Sequence, residues 1–347
     1  MPVSLSIKNV PDAVVKRLRR RAWTIPVQVL ALLVLAPVCA EYLSAYDDST
    51  GDPGRLLVGL LFLSPLYGGA ALIIREVARR AGLGWIGMIL MAAAFGLFQA
   101  GVIDQSLFSV NYRGIASWEA SLRSTFIAPL GFSAVNALNF IGGHVIYSIC
   151  GPIALVEAFR PARRTTPWLG RAGIVLAATL YCAVSAVILK DHLANESSHA
   201  SMIQVVASLF VAGGLVVGAY VLGRRRRPKV DRRAPRPRTV FLAGLVAAVV
   251  LSVVPENWLG AALSSGILVI SAMGVARVSR ASDWDARHTA ALAAGAVLSR
   301  ALEAFTYFPL IGDVSATRKY LHNAVFLALI VGVSLLAAWR ANSRRTR

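Results

Sequence analysis

The sequence is poor in negative charge and in cysteine. Its 347 residues include 17 Asp and Glu against 36 Lys and Arg, and only three cysteines: Cys39, Cys150 and Cys182. Each cysteine lies in an apolar run and none belongs to a CxxC pair, a pattern that argues against a disulfide framework or a zinc site. We therefore predict three small packing residues.

Several catalytic motifs are also missing. The chain has no GxxxxGK[ST] phosphate loop, no HExxH zinc motif and no GxSxG elbow. It also lacks the Glu-Glu pair that CAAX-protease-like intramembrane enzymes carry. The sequence therefore predicts no cofactor and no bound metal, and it leaves open whether the protein is an enzyme.

Long apolar runs are abundant, since 56% of the residues are hydrophobic and 15% are charged. A helix needs about 20 mostly apolar residues to cross a bilayer. Ten runs approach that length: 24–43, 56–74, 84–103, 133–156, 172–189, 201–223, 239–255, 259–276, 288–308 and 321–339. Because helices satisfy their own backbone groups in lipid, we predict an all-α polytopic membrane helix bundle of about ten transmembrane helices.

The basic residues give this bundle a predicted orientation. With ten spans and a cytoplasmic N-terminus, nearly all Lys and Arg fall in inside segments, as the positive-inside rule requires. Few lie elsewhere: Arg55, Arg113, Arg123, Lys190, Arg318 and Lys319 fall outside, and Arg300 falls within a span. We therefore predict a protein of the plasma (inner) membrane with both termini in the cytoplasm.

Changes in composition divide the chain into five predicted parts. These are a fragment at 1–22, six helices in 23–223, a basic linker at 224–238, four helices in 239–340 and a basic tail at 341–347. The Arg- and Pro-rich linker either binds anionic lipids at the cytoplasmic face or simply anchors the topology. The predicted partners are thus the bilayer, its anionic lipids and a small-molecule or lipid-linked substrate. The oligomeric state is left open.

The first residues have a different character. In "MPVSLSIKNVPDAVVKRLRRRA", residues 1–22, apolar and polar residues first alternate as in a strand, and Pro11-Asp12 then opens a helix. The segment resembles the first strand and helix of FitA-type ribbon-helix-helix antitoxins. That resemblance implies base-reading roles for Ser4, Ser6 and Lys8.

The family's second helix should follow Ala22, but an apolar run begins there instead. A strand and one helix rarely fold alone. The segment is therefore read as a fusion remnant that serves as a basic anchor, as a start-site artefact, or as a membrane-tethered DNA-binding regulator. Nucleic acid is the disfavoured partner.

Polar side chains inside the apolar runs mark a candidate site, because ionisable groups in a bilayer are costly and need a reason. In the predicted topology nearly all of them lie in the outer half. The candidates for an outer-half polar cavity are Glu41, Gln99, Asp104, Asn136, Asn139, His144, Glu256, Arg300 and Glu303. Each also has an ordinary structural interpretation.

Those interpretations differ by residue. Arg300 and Glu303 are spaced to pair on one helix face, either to neutralise each other or to offer a fixed cation to an anionic substrate. His144 is a proton carrier or a packing residue, and Asn136 and Asn139 suit contacts between helices.

Three further patterns predict local structure. Glu76 lies among Arg75, Arg79 and Arg80, and Glu157 lies beside Arg160, so we expect ordinary ion pairs at the inner boundary. Gly214 and Gly218 form a GxxxG motif, which usually means close helix packing. "SWEASLRSTF" at 117–126 suits an interfacial helix with Trp118 at the headgroups.

These observations favour a transporter- or permease-like protein with an outward-facing polar cavity. The alternative is a membrane-embedded enzyme that acts on a lipid-linked or exported substrate at the outer leaflet. Glycine and proline interruptions favour transport: Pro65, Gly68, Gly69, Gly142, Gly143 and Pro152. The scarcity of polar groups in the inner half favours an enzyme or a receptor.

Overall fold

The computed structural model describes residues 26–225 and 228–343. The ribbon-helix-helix-like fragment at 1–22, with Ser4, Ser6 and Lys8, lies outside the described residues. Its predicted roles therefore stay predictions.

Within the described residues the chain forms ten long helices and one short one. In chain order they are α1 (Val27–Tyr42), α2 (Pro53–Ala81), α3 (Gly84–Ile103), the short α4 (Trp118–Ser124), α5 (Ala134–Phe159), α6 (Arg171–Asn195), α7 (Met202–Gly223), α8 (Pro237–Val253), α9 (Trp258–Val278), α10 (Ala286–Glu303) and α11 (Ala316–Asn342). Every predicted apolar run coincides with one of the long helices.

Seven of these helices are long and apolar enough to cross a membrane: α2, α3, α5, α6, α7, α9 and α11. Helices α1 and α8 are apolar but shorter, and α10 carries three charged residues, Arg287, Arg300 and Glu303. The predicted all-α polytopic bundle is therefore confirmed. Membrane crossing by α1, α8 and α10 stays a prediction, as do the predicted domain divisions.

Helix α5 lies at the centre of the bundle. It packs against α1, α3, α10 and α11, and all of residues 151–158 are buried. The four C-terminal helices join the first six mainly through α10, which contacts α5, α8 and α11. Helices α6 and α9 lie at the periphery with almost all of their apolar side chains exposed, as expected for surfaces that face lipid.

The bundle has two distinct ends. We call the end where α1 and α3 finish the Asp104 end, and the end where α2 finishes the Arg75 end. At the Asp104 end, residues 104–132 contain the predicted short helix α4, which is confirmed. A two-stranded antiparallel hairpin follows, with β1 (Phe126–Ile127) paired to β2 (Phe132–Ser133).

A buried ion cluster closes the Arg75 end. The Arg75 guanidinium is fully buried and contacts Glu76 at 2.7 Å and Glu157 at 3.0 Å. Arg79 bonds the second oxygen of Glu157 at 2.5 Å, and the Arg75 guanidinium lies 3.3 Å from the ring centroid of Trp168. Removing one member of such a cluster leaves a buried charge unpaired, which typically costs about 3–5 kcal/mol.

The same cluster fixes the connector between α5 and α6. Arg75 donates to three of its carbonyl oxygens, those of Arg163 (3.3 Å), Arg164 (2.9 Å) and Thr166 (3.0 Å). Glu76 accepts from the backbone N–H groups of Trp168 and Leu169. The ion pairs predicted for Glu76 are present.

Two local predictions are wrong. Glu157 pairs with Arg75 and Arg79 rather than with Arg160, because α5 packs beside α2 and brings partners distant in sequence within reach. Gly214 has no neighbour within 4 Å, and Gly218 meets only one Leu90 methyl at 3.9 Å. The GxxxG motif therefore makes no close helix contact within the described chain.

Candidate functional site

Four helices near the Asp104 end share an uncommon feature. Within the described residues, α1, α2, α3 and α5 each contain one π-helical segment: Val38–Tyr42, Ser64–Gly68, Gln99–Ile103 and His144–Cys150. Each segment carries one polar or ionisable site residue, respectively Glu41, Tyr67, Gln99 and His144. Such π segments are rare and occur frequently at functional sites, because the wider turn redirects side chains.

Two glycines let these segments approach one another. A Cβ at Gly68 would lie 2.6 Å from the Leu33 Cα of α1, so only glycine permits the contact that brings Tyr67 beside α1. A Cβ at Gly96 would lie 3.0 Å from the Cβ of His144. Backbone approach at these two points places side chains from four helices in one cluster.

Glu41 is the centre of this cluster. The hydroxyl of Tyr67 donates to its Oε1, and the Tyr46 side chain, from the loop after α1, also hydrogen-bonds it. Hydroxyl donors stabilise an ionised carboxylate without neutralising it. The Glu41 residue as a whole is partly buried.

Asp104 lies directly after α3 and is held by short-range donors. Its carboxylate accepts from the backbone N–H of Ser106 at 2.9 Å and from the side chain of Gln99. Burial raises the pKa of Asp104 to about 6, and the negative charge of Glu41 adds to the rise, while the bonds from Ser106 and Gln99 oppose it. Asp104 thus titrates close to neutral pH.

Residues 105–117 form a cap over the cluster. Tyr112 stacks on Trp118 with ring centroids 4.8 Å apart, and Trp118 donates to the Ser109 carbonyl at 2.9 Å. Arg113 reaches the Tyr46 hydroxyl at 3.4 Å, while its backbone N–H donates to Glu196 at 3.2 Å. Burial raises the pKa of both Tyr46 and Tyr112 well above the usual range. The negative charge of Glu41 adds to the rise at Tyr46, and that of Asp104 adds to the rise at Tyr112.

Backbone strain is concentrated around this cluster. Among the described residues, three that are not glycine have positive φ: Ala45 (49°), Gln105 (52°) and Arg113 (52°). All three lie in the loops that carry Tyr46, Asp104 and Tyr112. Left-handed backbone costs an L-residue roughly 1–2 kcal/mol, and such strain collects at ligand sites and switches.

His144 forms the inner wall of the site. Its ring lies 5.9 Å from that of Tyr67 and 5.3 Å from that of Phe95. Its Nδ1 is 3.1 Å from the hydroxyl of Ser148, one turn further along α5. Tyr67 therefore contacts both His144 and Glu41.

The structure brings together Glu41, Gln99, Asp104 and His144 from the sequence candidates, and places the others elsewhere. The Arg300 and Glu303 side chains pair at 3.1 Å, with Arg300 over the Tyr147 ring at 5.6 Å.

The remaining candidates lie away from the cluster. Asn136 is buried and accepts a hydrogen bond from Ser121 of α4 at 3.1 Å. Asn139 and Glu256 are exposed, the latter in the α8–α9 turn. These three side chains contact none of the four clustered candidates within the described residues.

The carboxylates at the two ends of the bundle differ in their ion-pair partners. Glu76 and Glu157 at the Arg75 end each bond two arginines. In the described part of the chain no Lys or Arg side chain pairs with Glu41 or Asp104. The described residues also contain no group of three metal ligands. Carboxylates that are shielded from water but lack a cation are candidates for proton or ligand binding.

Sequence reasoning missed the aromatic partners Tyr46, Tyr67 and Tyr112 and the cation Arg113. A tyrosine in an apolar run or loop carries no distinctive pattern. The available signal was indirect, since Pro65 and Gly68 lie in the π segment of Tyr67, and Gly101 lies in the segment that begins at Gln99.

The helices and this cluster define a polytopic helical membrane protein with a polar site at one end. The chain belongs to an uncharacterized membrane protein family, whose model matches residues 30–343. That match begins after the fragment at 1–22. No curated protein and no solved structure matches the chain significantly.

Proposed function

We propose that the protein is a proton-coupled transporter with its substrate site in the cluster around Glu41. The observation that carries this proposal is the convergence of four π-interrupted helices, each contributing one polar residue. Interrupted membrane helices with polar residues at the break are a common way to build transport sites. In this proposal the ion cluster closes the Arg75 end, and the substrate enters from the Asp104 end in one state of an alternating-access cycle.

The carboxylates supply the coupling in this proposal. Burial, and to a smaller extent the negative charge of Glu41, raises the pKa of Asp104 to about 6. A bound cation would favour loss of this proton. Tyr67 and Tyr46 keep Glu41 oriented. Proton release to one side and proton uptake from the other would drive substrate movement.

The Asp104 end is inferred to face the outside of the cell. The Arg75 end carries Arg79, Arg80, Arg163, Arg164 and Arg280, and cytoplasmic segments are enriched in such residues. The basic linker at 228–238 packs at this end through Val230 and Ala281. Anionic lipids of the inner leaflet would contact the same surface.

Proton movement in reconstituted liposomes tests the transport proposal. Liposomes that contain the full chain and a lumenal pH dye would receive separate pools of cationic, anionic and neutral small metabolites. We expect one pool to change the lumenal pH with wild-type protein and with Glu256→Gln, but not with Glu41→Gln. Wild-type liposomes that respond like empty ones to all three pools would overturn the proposal.

A second candidate is a membrane-embedded enzyme that acts on a lipid-linked or exported substrate. It is favoured by the 3.1 Å contact between His144 and Ser148, the geometry of a base beside a hydroxyl nucleophile. Mass spectrometry of lipids from cells expressing wild type or Ser148→Ala distinguishes the two candidates. An enzyme requires a lipid species that depends on Ser148, whereas a transporter predicts identical lipid profiles.

A further inference from the structure

The cluster contains more hydrogen-bond acceptors than donors. Gln99 is 2% exposed, its side chain hydrogen-bonds the Asp104 carboxylate through the amide nitrogen, and its Oε1 has no partner. The Glu41 and Asp104 carboxylates accept from neutral donors only. A ligand that completes this site must therefore bring N–H or O–H donors and positive charge.

The walls of the cluster favour a cation as well. Tyr46, Tyr67 and Tyr112 surround the carboxylates, and Phe95 packs on Tyr67 with ring centroids 6.3 Å apart. Aromatic faces attract cations by about 0.5–2 kcal/mol. The chain as a whole carries a net charge of +19, so the acidic character of this site is local.

Arg113 does not fill this role. Its guanidinium hydrogen-bonds the Tyr46 hydroxyl at 3.4 Å and acts on Glu41 electrostatically, but it forms no ion pair with Glu41 or Asp104 within the described residues. Its backbone N–H donates to Glu196. The inner acceptors on Glu41, Asp104 and Gln99 therefore stay available to a ligand.

We propose that the site binds the primary ammonium group of a small organic amine. An ammonium group has three N–H donors and no acceptor, which matches the carboxylates of Glu41 and Asp104 and the free oxygen of Gln99. A quaternary ammonium has the charge without the donors, and a carboxylate is repelled. This inference deepens the proposed transport function by naming its substrate class.

Calorimetric titration of the detergent-solubilised full chain tests this inference. The probes are propylammonium, tetramethylammonium and propionate, titrated above pH 7 where Asp104 is ionised. We expect binding of propylammonium only. Glu41→Gln should weaken it by about tenfold or more, since a charge-assisted hydrogen bond is lost, and Gln99→Leu should weaken it by about fivefold. The control Glu256→Gln should bind as wild type does.

Thermal melts establish that each variant is folded. If Glu41→Gln does not fold, the binding result for Gln99→Leu decides the test. Propionate binding, equal binding of tetramethylammonium, or equal loss in Glu256→Gln would overturn the ammonium inference. The liposome assay separates the two proposals. Amine binding without proton movement overturns transport alone, and proton movement with anionic metabolites alone overturns the ammonium inference.

Discussion

The hydroxyl of Tyr67 donates a hydrogen bond to the carboxylate of Glu41, and each residue lies in a π-helical segment of its own helix. In a regular helix these side chains would point in other directions, because the wider π turn rotates the residues that follow it. The bond therefore depends on two local departures from α-helical geometry. It connects the backbone irregularity of the bundle directly to a carboxylate that forms no ion pair within the described residues.

Replacing Tyr67 with Phe removes this donor from a carboxylate that forms no ion pair within the described residues. We expect the free energy of unfolding to fall by about 1.5–3 kcal/mol, the range for hydrogen bonds to charged groups. Tyr220→Phe is the matched control, since Tyr220 lies near the other end of the bundle beside Arg224, and it should change stability little. Unfolding in mixed micelles measures both, and equal effects would contradict a special role for Tyr67.

The substitution Gly68→Ala should destabilise the bundle, because the added Cβ would lie 2.6 Å from the Leu33 Cα. The cost of such overpacking is about 1–3 kcal/mol. Gly332→Ala is the opposite case, with nothing within 4 Å of the added Cβ, and should stabilise α11 by about 0.5–1 kcal/mol. Melting temperatures in the same detergent compare them. A harmless Gly68→Ala would mean that α1 and α2 are not in close contact.

The substitution Arg75→Gln should be severely destabilising. Glu76 and Glu157 would lose a buried partner, and the α5–α6 connector would lose three hydrogen bonds that Arg75 donates. We expect a loss of about 3–5 kcal/mol. Arg123→Gln removes an exposed pair with Glu119 and should cost about 0.5 kcal/mol or less. Protease digestion at the α5–α6 connector gives a second readout, and protection equal to wild type would refute the predicted loosening.

The stability of the protein should depend on pH through Asp104. Its folded pKa of about 6 lies above its ordinary value of 3.8, so the folded state holds the proton more tightly than the unfolded chain does. The contribution of the Asp104 proton to the free energy of unfolding should therefore be fully present below about pH 4 and should be lost as the pH rises through about 6. Asp104→Asn should flatten this window in a series of melts, and Glu256→Gln should not. A window unchanged in Asp104→Asn would assign the titration to another group.

The helices were predictable because apolar runs of bilayer length leave few alternatives. The run at 84–103 matches α3 without error. The largest differences are at α2, which ends seven residues after its run, α6, which ends six residues after its run, α10, which ends five residues before the end of its run, and α11, which begins five residues before its run. The first turns of α11 hold Lys319, which lies before the apolar run, and His322, which lies near its start. They are buried against loops at the Asp104 end, where His322 bonds the carbonyl of Tyr42 at 2.8 Å.

The candidate site was only partly predictable, since sequence reveals costly residues but not their partners. Glu41, Gln99, Asp104 and His144 stand out because they interrupt apolar runs. Nothing in their spacing shows that the structure brings them together while Arg300 and Glu303 form a separate pair. That outcome depends on helix contacts at glycines and on π segments, both of which arise only when the helices pack.

Proton release on amine binding tests the central claim most directly. Propylammonium added to the full chain in weakly buffered micelles at pH 6 should release protons, because a bound cation favours the ionised form of Asp104. The account predicts release from wild type and Glu256→Gln, none from Asp104→Asn, and release from Glu41→Gln only at amine concentrations about tenfold or more higher. Binding of the amine with no proton released from wild type would contradict it.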